Sequence, residues 1–423
     1  MATDVDVQFF SHSNGLTLGN NWGDLIRMLD KTLVTGVEFS QITNASIDDQ
    51  GDVHITLYSN HKALLLQVVE LVGFAPGSLN QKYRIKGLPS SNELILKPQN
   101  DIIERIITTI GAAKLASLGY EIIFRDSADV KRVYRAINPE QNHPFIRVDE
   151  TISDGVNSYA STYAKYAMVG LIENMTHVDD YEDSGKLQLP YDSGNLKKNW
   201  SISGTGASVI RGWSKWYYSR AVAVYLNGGD TSGGSTSNRK FSIIGNRDAF
   251  YMPTNTQNEA TKIIYGCGVF DANLATDFIP NWFLMSSLGY RAASISFSIA
   301  EDDGGSPLQY REPCSRFIIP AVNMENRYIS HTSAKPITPD YQSGLSGVYV
   351  NTSLAALNIP FSDMTSRLRG SLNHVYYAGN NKSNVSETTP ILSDSSMYIF
   401  DLAMSYANGN YAGGMYYYLG DLL

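Results

Sequence analysis

Tyr120-Glu-Ile-Ile-Phe124, Lys131-Arg-Val-Tyr134 and Phe145-Ile-Arg-Val148 are the runs whose reading decides the fold. Each is short, rich in β-branched and aromatic residues, and bounded by turn-forming residues, the pattern of a strand. The same signal continues in Tyr163 to Leu171, Ala221-Val-Ala-Val-Tyr-Leu226, Lys240-Phe-Ser-Ile-Ile244 and Ala293-Ser-Ile-Ser-Phe297. Regular spacing with Gly and Asn turns predicts an antiparallel sandwich or barrel, and argues against alternating strands and helices. Upstream, Val53-His-Ile-Thr-Leu-Tyr58, Leu64 to Val72, Lys82-Tyr-Arg-Ile-Lys86 and Glu93-Leu-Ile-Leu96 form a smaller β set. Ala63 to Phe74 is read as strand in preference to helix. Residues 100–117, with five isoleucines between Ile102 and Ile110, fit either a helix or a β-branched strand.

One helix is expected. It opens after Asn20-Asn21 and runs from about Trp22 to Leu33, with Trp22, Leu25, Ile26, Leu29 and Leu33 on one face and Gly36 as its stop. At 423 residues the chain exceeds the roughly 100–200 usual for one domain. The expectation is therefore a mainly β protein of several small antiparallel sandwich or barrel units with a short N-terminal helix. Its parts are an N-terminal helix plus β docking domain over 1–100, a central antiparallel β domain over 101–300, and a C-terminal β domain over 301–423. In the last, Gly, Ser and Asn thicken and the strands are expected to shorten. No fixed-period repeat is visible.

A formal charge of −8 argues against gripping a phosphate backbone as the main task, so no nucleic-acid partner is expected. With 43% apolar and only 17% charged residues, the chain should fold. Cys267 and Cys314 belong to no C-x-x-C pair, which leaves neither a disulfide framework nor a structural zinc site. The N-terminal residues lack the basic and apolar regions of a secretory signal, and no apolar run approaches the roughly 20 residues of a membrane span. Synthesis in a host cytoplasm is expected.

Chemistry-bearing motifs are weak. Gly204-Thr-Gly-Ala-Ser208 lacks a following Gly-Lys-Ser/Thr and reads as a turn. Asp179-Asp-Tyr-Glu-Asp183 and Glu301-Asp-Asp-Gly-Gly305 suggest calcium loops, but the alternation of acids is broken and solvated acidic loops are the plainer reading. The seven histidines show no His-x-x-x-His spacing, and Cys267 reads as a buried, inert thiol. No catalytic residue, cofactor or metal ligand is assigned. The positive signal is tyrosine, 27 against 15 phenylalanines. Tyr217, Tyr218, Tyr376, Tyr377, Tyr416, Tyr417 and Tyr418 are the candidate interface residues, because tyrosine combines large contact area, few rotors and a water-tolerant hydroxyl. A neighbouring subunit is expected to cover the run Met415 to Tyr418; half-buried strand tyrosines are the plainer alternative.

Gly19-Asn-Asn-Trp-Gly-Asp-Leu-Ile, Leu33-Val-Thr-Gly36, Leu79-Asn-Gln-Lys-Tyr-Arg-Ile-Lys-Gly87 and Leu115-Ala-Ser-Leu-Gly-Tyr120 stand in order along the chain. Ile146-Arg-Val-Asp-Glu150, Glu173-Asn-Met-Thr-His-Val-Asp179 and Gly266-Cys-Gly-Val-Phe-Asp271 continue the series, and Leu368-Arg-Gly370 with Tyr398-Ile-Phe-Asp401 extends it more faintly. Together they resemble a family of tail and virion structural proteins of tailed bacteriophages. The likeness covers roughly residues 15–285, with Tyr120 where that pattern has a tryptophan and a polar insertion at 228–238. The resemblance implies a non-enzymatic virion protein of the baseplate or tail tip. It would be a homo-oligomer in contact with other tail or baseplate proteins and attached to fibres. The alternatives are a host-surface saccharide-binding adhesin and, behind it, a polysaccharide hydrolase.

Overall fold

A computed structural model describes residues 3–139, 142–151, 163–191, 214–221, 233–255, 262–274, 279–285, 287–288, 317–321, 330–337, 356–378, 389–405 and 412–422. The protein is mainly β, built of several antiparallel sheets with one short helix, as the strand-like runs predict. The first sheet runs, in spatial order, Val37–Glu38, Ala112–Leu115, Val68–Val72, Lys82–Ser90, Glu93–Pro98, Val53–Leu57 and Ile42–Ile47. The second holds the three deciding runs as a meander, Tyr120–Arg125, Lys131–Ala136 and Phe145–Asp149, continued by Lys165–Ile172, Ser214–Ser219 and Ser287–Leu288. The third runs Gln8–Ser11, Ser242–Gly245, Ala249–Asn255, Lys262–Val269, Trp282–Met285, Phe317–Pro320 and His331–Ser333. The fourth is Lys335–Pro336, Leu357–Ser362, Leu368–Tyr377, Ala412–Asp421, Ser396–Ser405 and Thr389–Ser393.

Successive side chains of a strand point to opposite faces, and in the third sheet both faces are packed. Phe10, Ile243, Phe250, Met252, Tyr265, Cys267 and Leu284 face a core shared with the helix and the first two sheets. Their neighbours Phe9, Ile244, Tyr251, Ile264, Phe283 and Met285 face a second core shared with the fourth sheet. Every residue of Ala249–Asn255 and Lys262–Val269 is buried. A middle layer enclosed on both sides explains why these strands read as continuous apolar runs without polar alternation. A buried ion pair joins this layer to the fourth sheet: Lys262 Nζ lies 2.7 Å from Asp401 Oδ1, and Ser242 Oγ donates to Asp401 Oδ2 at 2.8 Å.

Several expectations change in detail. The α-helix is shorter than expected, Asp24–Leu29, and passes directly into a π-helical turn over Asp30–Thr35. Its Ncap is Gly23 at φ 85°, not an asparagine. Gly36 does end it, at φ 77°, and a Cβ there would sit 2.2 Å from the carbonyl oxygen of Leu115. That close approach, together with the left-handed backbone, demands glycine. Ala63 to Phe74 contributes a strand at Val68–Val72. Residues 100–117 resolve into an irregular stretch followed by the strand Ala112–Leu115. The C-terminal strands shorten only in part: His331–Ser333 and Lys335–Pro336 have three and two residues, whereas Leu368–Tyr377, Ser396–Ser405 and Ala412–Asp421 each have ten. Ala221-Val-Ala-Val-Tyr-Leu226, apart from its first residue, and Ala293-Ser-Ile-Ser-Phe297 lie outside the described residues.

Buried polar side chains fasten the first strand to what surrounds it. Gln8 donates to the carbonyls of Val68 and Ala116 and accepts from the Val68 amide, taking the place of a backbone rung between two strands. Gln67 donates to the Phe9 carbonyl and to Asn14. Arg84 is fully buried and spends all five guanidinium donors on four backbone carbonyls. Nε and Nη2 reach Asp4 O at 3.0 and 2.7 Å, Nη1 reaches Val7 O and Leu66 O at 3.0 and 2.8 Å, and Nη2 also reaches Leu419 O at 2.8 Å. Burial lowers its pKa to about 10, with Asp4 and Asp6 pulling it back up, so it stays charged at neutral pH. Removing a buried charge that serves four carbonyls leaves all four unpaired. Arg84→Met is expected to cost about 3–5 kcal/mol in denaturant unfolding. Arg84→Lys should recover only part, because three donors cannot serve four acceptors.

Candidate interaction surface

The fourth sheet brings several of the predicted tyrosines to one place. In register, Tyr376 lies opposite Tyr416 and Tyr398 opposite Tyr418. Strand alternation sorts them. Tyr377, Tyr417, Ile399 and Met397 point into the second core, whereas Tyr376, Tyr398 and Phe400 share the outer face with Tyr416. There Tyr398 stands at the centre, with ring centroids 6.4 Å from Tyr376, 6.4 Å from Tyr416 and 5.3 Å from Tyr418. These edge-on and tilted contacts are favourable aromatic geometries that keep the rings in place. Tyr376, Tyr398 and Tyr418 are half-buried, Ile391 is half-buried beside them, and Leu392 on the same edge strand is 52% exposed. Burial raises the Tyr398 hydroxyl, and burial together with Asp421 pushes Tyr418 up to about 12. At physiological pH this face therefore carries uncharged rings, suited to stacking and apolar contact.

Other members of the predicted set are placed differently. Tyr377 and Tyr417 are fully buried and Tyr416 is 4% exposed, so the chain's own sheet, where a neighbouring subunit is expected from the sequence, covers the C-terminal run as far as Tyr417, and Tyr418 stays half-buried. The physical reason is that the ten-residue terminal strand is central, paired on both sides by Leu368–Tyr377 and Ser396–Ser405. Tyr217 and Tyr218 lie in the second sheet and are buried too. Tyr217 packs at 4.9 Å from Tyr166. The Tyr218 hydroxyl lies 2.7 Å from the Glu150 carboxyl and 2.8 Å from the Asn21 carbonyl, with one proton to share between them. Tyr398, at the centre of the ring cluster, is not among the candidate residues read from the sequence. The parity of Tyr398 with Phe400, set against Tyr416 and Tyr418 across an antiparallel pair, was the available signal.

Glu150 supplies the cap that the helix's own neighbours do not. Its carboxylate accepts from the Gly23 and Ile26 amides at 2.5 and 2.8 Å, across 127 and 124 residues of sequence. Amides at a helix start are otherwise unpaired, and the dipole there favours negative charge. Complete burial nevertheless raises its pKa to about 7, against the downward pull of Tyr218 and the two amides. The acidic loop at 179–183 is occupied internally. Asp179 pairs with Lys131 and Arg147, both at under 3 Å, and Asp180 with Lys186. These cations hold both carboxyls below their ordinary values, Asp180 at about 2. Among the described residues no group of three or more His, Cys, Asp or Glu is placed to hold a metal ion. Cys267 is fully buried, and burial pushes its thiol up, away from reactivity. Gly204 to Ser208 and Glu301 to Gly305 lie outside the described residues. Next to the acidic loop a groove of about 580 Å³ is lined by Arg135, Phe145, Glu173, Asn174, Asp183 and Lys186, with the Arg135 guanidinium 4.7 Å from the Phe145 ring centroid.

No helix among the described residues is long and apolar enough to cross a membrane. Comparison with protein-family models gives no match, and comparison with curated proteins gives none either.

The Glu150 pKa carries a sign that can be measured. Its value in the fold, about 7, lies above its ordinary 4.5, so its contribution to stability is present below about 4.5 and is lost as pH rises through 7. The urea midpoint of the wild-type chain should fall across that window. Glu150→Gln should flatten that slope while lowering stability by about 1–3 kcal/mol, since an amide cannot accept from three donors as a carboxylate does. Equal slopes in both proteins would contradict this.

Proposed function

We propose that the chain is a non-enzymatic structural protein of a bacteriophage tail, a baseplate or tail-tip component that joins sister copies, other tail proteins and fibres in the virion. The observation that supports this reading is the outer tyrosine face of the fourth sheet. A ring cluster of half-buried tyrosines with Ile391 beside it has the composition of the buried centre of a protein interface. The resemblance to tail and virion proteins supplies the setting, and the acidic loop and the buried thiol supply no competing chemistry. Tyr398→Glu should fold, because that side chain is only half-buried, and should lower incorporation into particles by about tenfold or more. Quantitative blotting of purified particles checks this. Incorporation equal to wild type would contradict the assignment of this face.

The groove at Arg135 favours a second reading, binding of a host-surface saccharide. It gathers a guanidinium, carboxylates and an amide above the buried Phe145 ring, a set of groups suited to hydroxyl recognition. Under the assembly reading Arg135→Ala leaves particle incorporation unchanged and no glycan titrates the chain. A glycan that binds wild type and is lost in Arg135→Ala would favour the saccharide reading instead.

A further inference from the structure

The two most exposed isoleucines among the described residues lie outside the fourth sheet, in the connection between Pro98 and Ala112. Ile102 is buried and Ile107 packs against the core, so the span is pinned at both ends. Between them Ile103 is 90% exposed and Ile106 is 79% exposed, with Glu104 and Arg105 exposed as well. Among the described residues none hydrogen-bonds the backbone of residues 102–107. Arg105 holds the span down by donating through Nη1 to the carbonyls of Asp48 and Asp49 at 3.0 and 2.9 Å, and its remaining donors have no acceptor among the described residues. Two large isoleucines on water beside an open row of amides and carbonyls form a template for another extended segment.

The sequence of the span indicates which segment. Ile102-Ile-Glu-Arg-Ile-Ile107 reads the same backwards once Glu and Arg are exchanged. Laid antiparallel on a copy of itself, with the two-fold axis between residues 104 and 105, it sets Glu104 of each copy opposite Arg105 of the other and Ile103 opposite Ile106. Isologous contacts need this kind of self-complementarity, and cross-strand pairs of opposite charge and of β-branched residues are the favourable ones. We propose that residues 102–107 form a two-fold contact between two copies of this chain. The plainer account of the two charges is that they blunt an exposed edge and keep other chains away. That account predicts no pairing between copies. The proposal deepens the assembly reading by naming one occupant and one surface, and it rests on that reading only for the expectation that copies meet.

Sedimentation velocity of the full chain, from about 1 to 200 μM, tests it. Wild type should show a concentration-dependent dimer. Ile103→Glu combined with Ile106→Glu should weaken it by about 100-fold or more, with an unchanged melting midpoint because both side chains are on water. Arg105→Glu sets like charges across the axis and should weaken the dimer by about tenfold; adding Glu104→Arg to that variant should restore it. Both of these variants lack the anchor to the 48–49 carbonyls, so the comparison isolates the pairing. Tyr398→Glu separates this proposal from the tyrosine-face reading. If it alone abolishes the dimer, the two-fold contact at 102–107 is overturned and the tyrosine face stands. If the isoleucine variant alone does so, the two-fold contact stands. A wild-type chain that stays monomeric throughout overturns the two-fold contact.

Discussion

Arg84 must be satisfied before this molecule can close. Its guanidinium takes carbonyls from Asp4, Val7, Leu66 and Leu419, which places the two ends of the chain and the first sheet around one buried charge. No apolar side chain could do this, because each of those carbonyls would lose its partner in a site that water does not reach. Beside it, the Asp4 amide donates to the Asp421 carbonyl, and Gln8 and Gln67 extend the same polar seam along the first strand. The N-terminal strand can thus be an edge of the third sheet and a neighbour of the first at once.

The layering follows from that seam. Once Gln8–Ser11 pairs with Ser242–Gly245, the third sheet has a core on each face, and Lys262 with Asp401 ties it to the fourth. A buried ion pair contributes little net stability compared with apolar packing, but it penalises any other register of the two sheets, since either charge alone would be stranded. Most aromatic side chains are consumed in these interiors. Among the described residues the apolar exterior includes the three half-buried tyrosines on the fourth sheet, Ile103 and Ile106 on the connection at 103–106, and scattered single residues such as Tyr58, Ile337 and Leu368. Contacts with other chains draw on these surfaces in the reading proposed above.

The strands were legible in the sequence because β-branched and aromatic runs between turn residues have few other solutions, and Tyr120–Arg125, Lys131–Ala136 and Phe145–Asp149 appear within a residue or two of the runs first quoted. The helix was legible through its apolar face and Gly36, but its cap was not, since Glu150 arrives from another sheet and local reading found only Asn20 and Asn21. Sheet membership was equally hidden. Nothing within Gln8–Ser11 announces that its partner is Ser242–Gly245, more than two hundred residues away. Tyrosine exposure was not legible: composition cannot tell Tyr417, which points inward, from Tyr418 beside it, and only the register of the terminal strand does.

In the reading proposed, the chain is an internally braced body whose remaining apolar exterior serves assembly. Hydrogen–deuterium exchange, comparing the isolated chain with the chain in its particle, tests it most directly. The account predicts new protection over 389–400 and 101–110, with the strands around Arg84 equally protected in both states. Protection that appears only around the Arg135 groove, or exchange at Arg84 that slows on assembly, would contradict it.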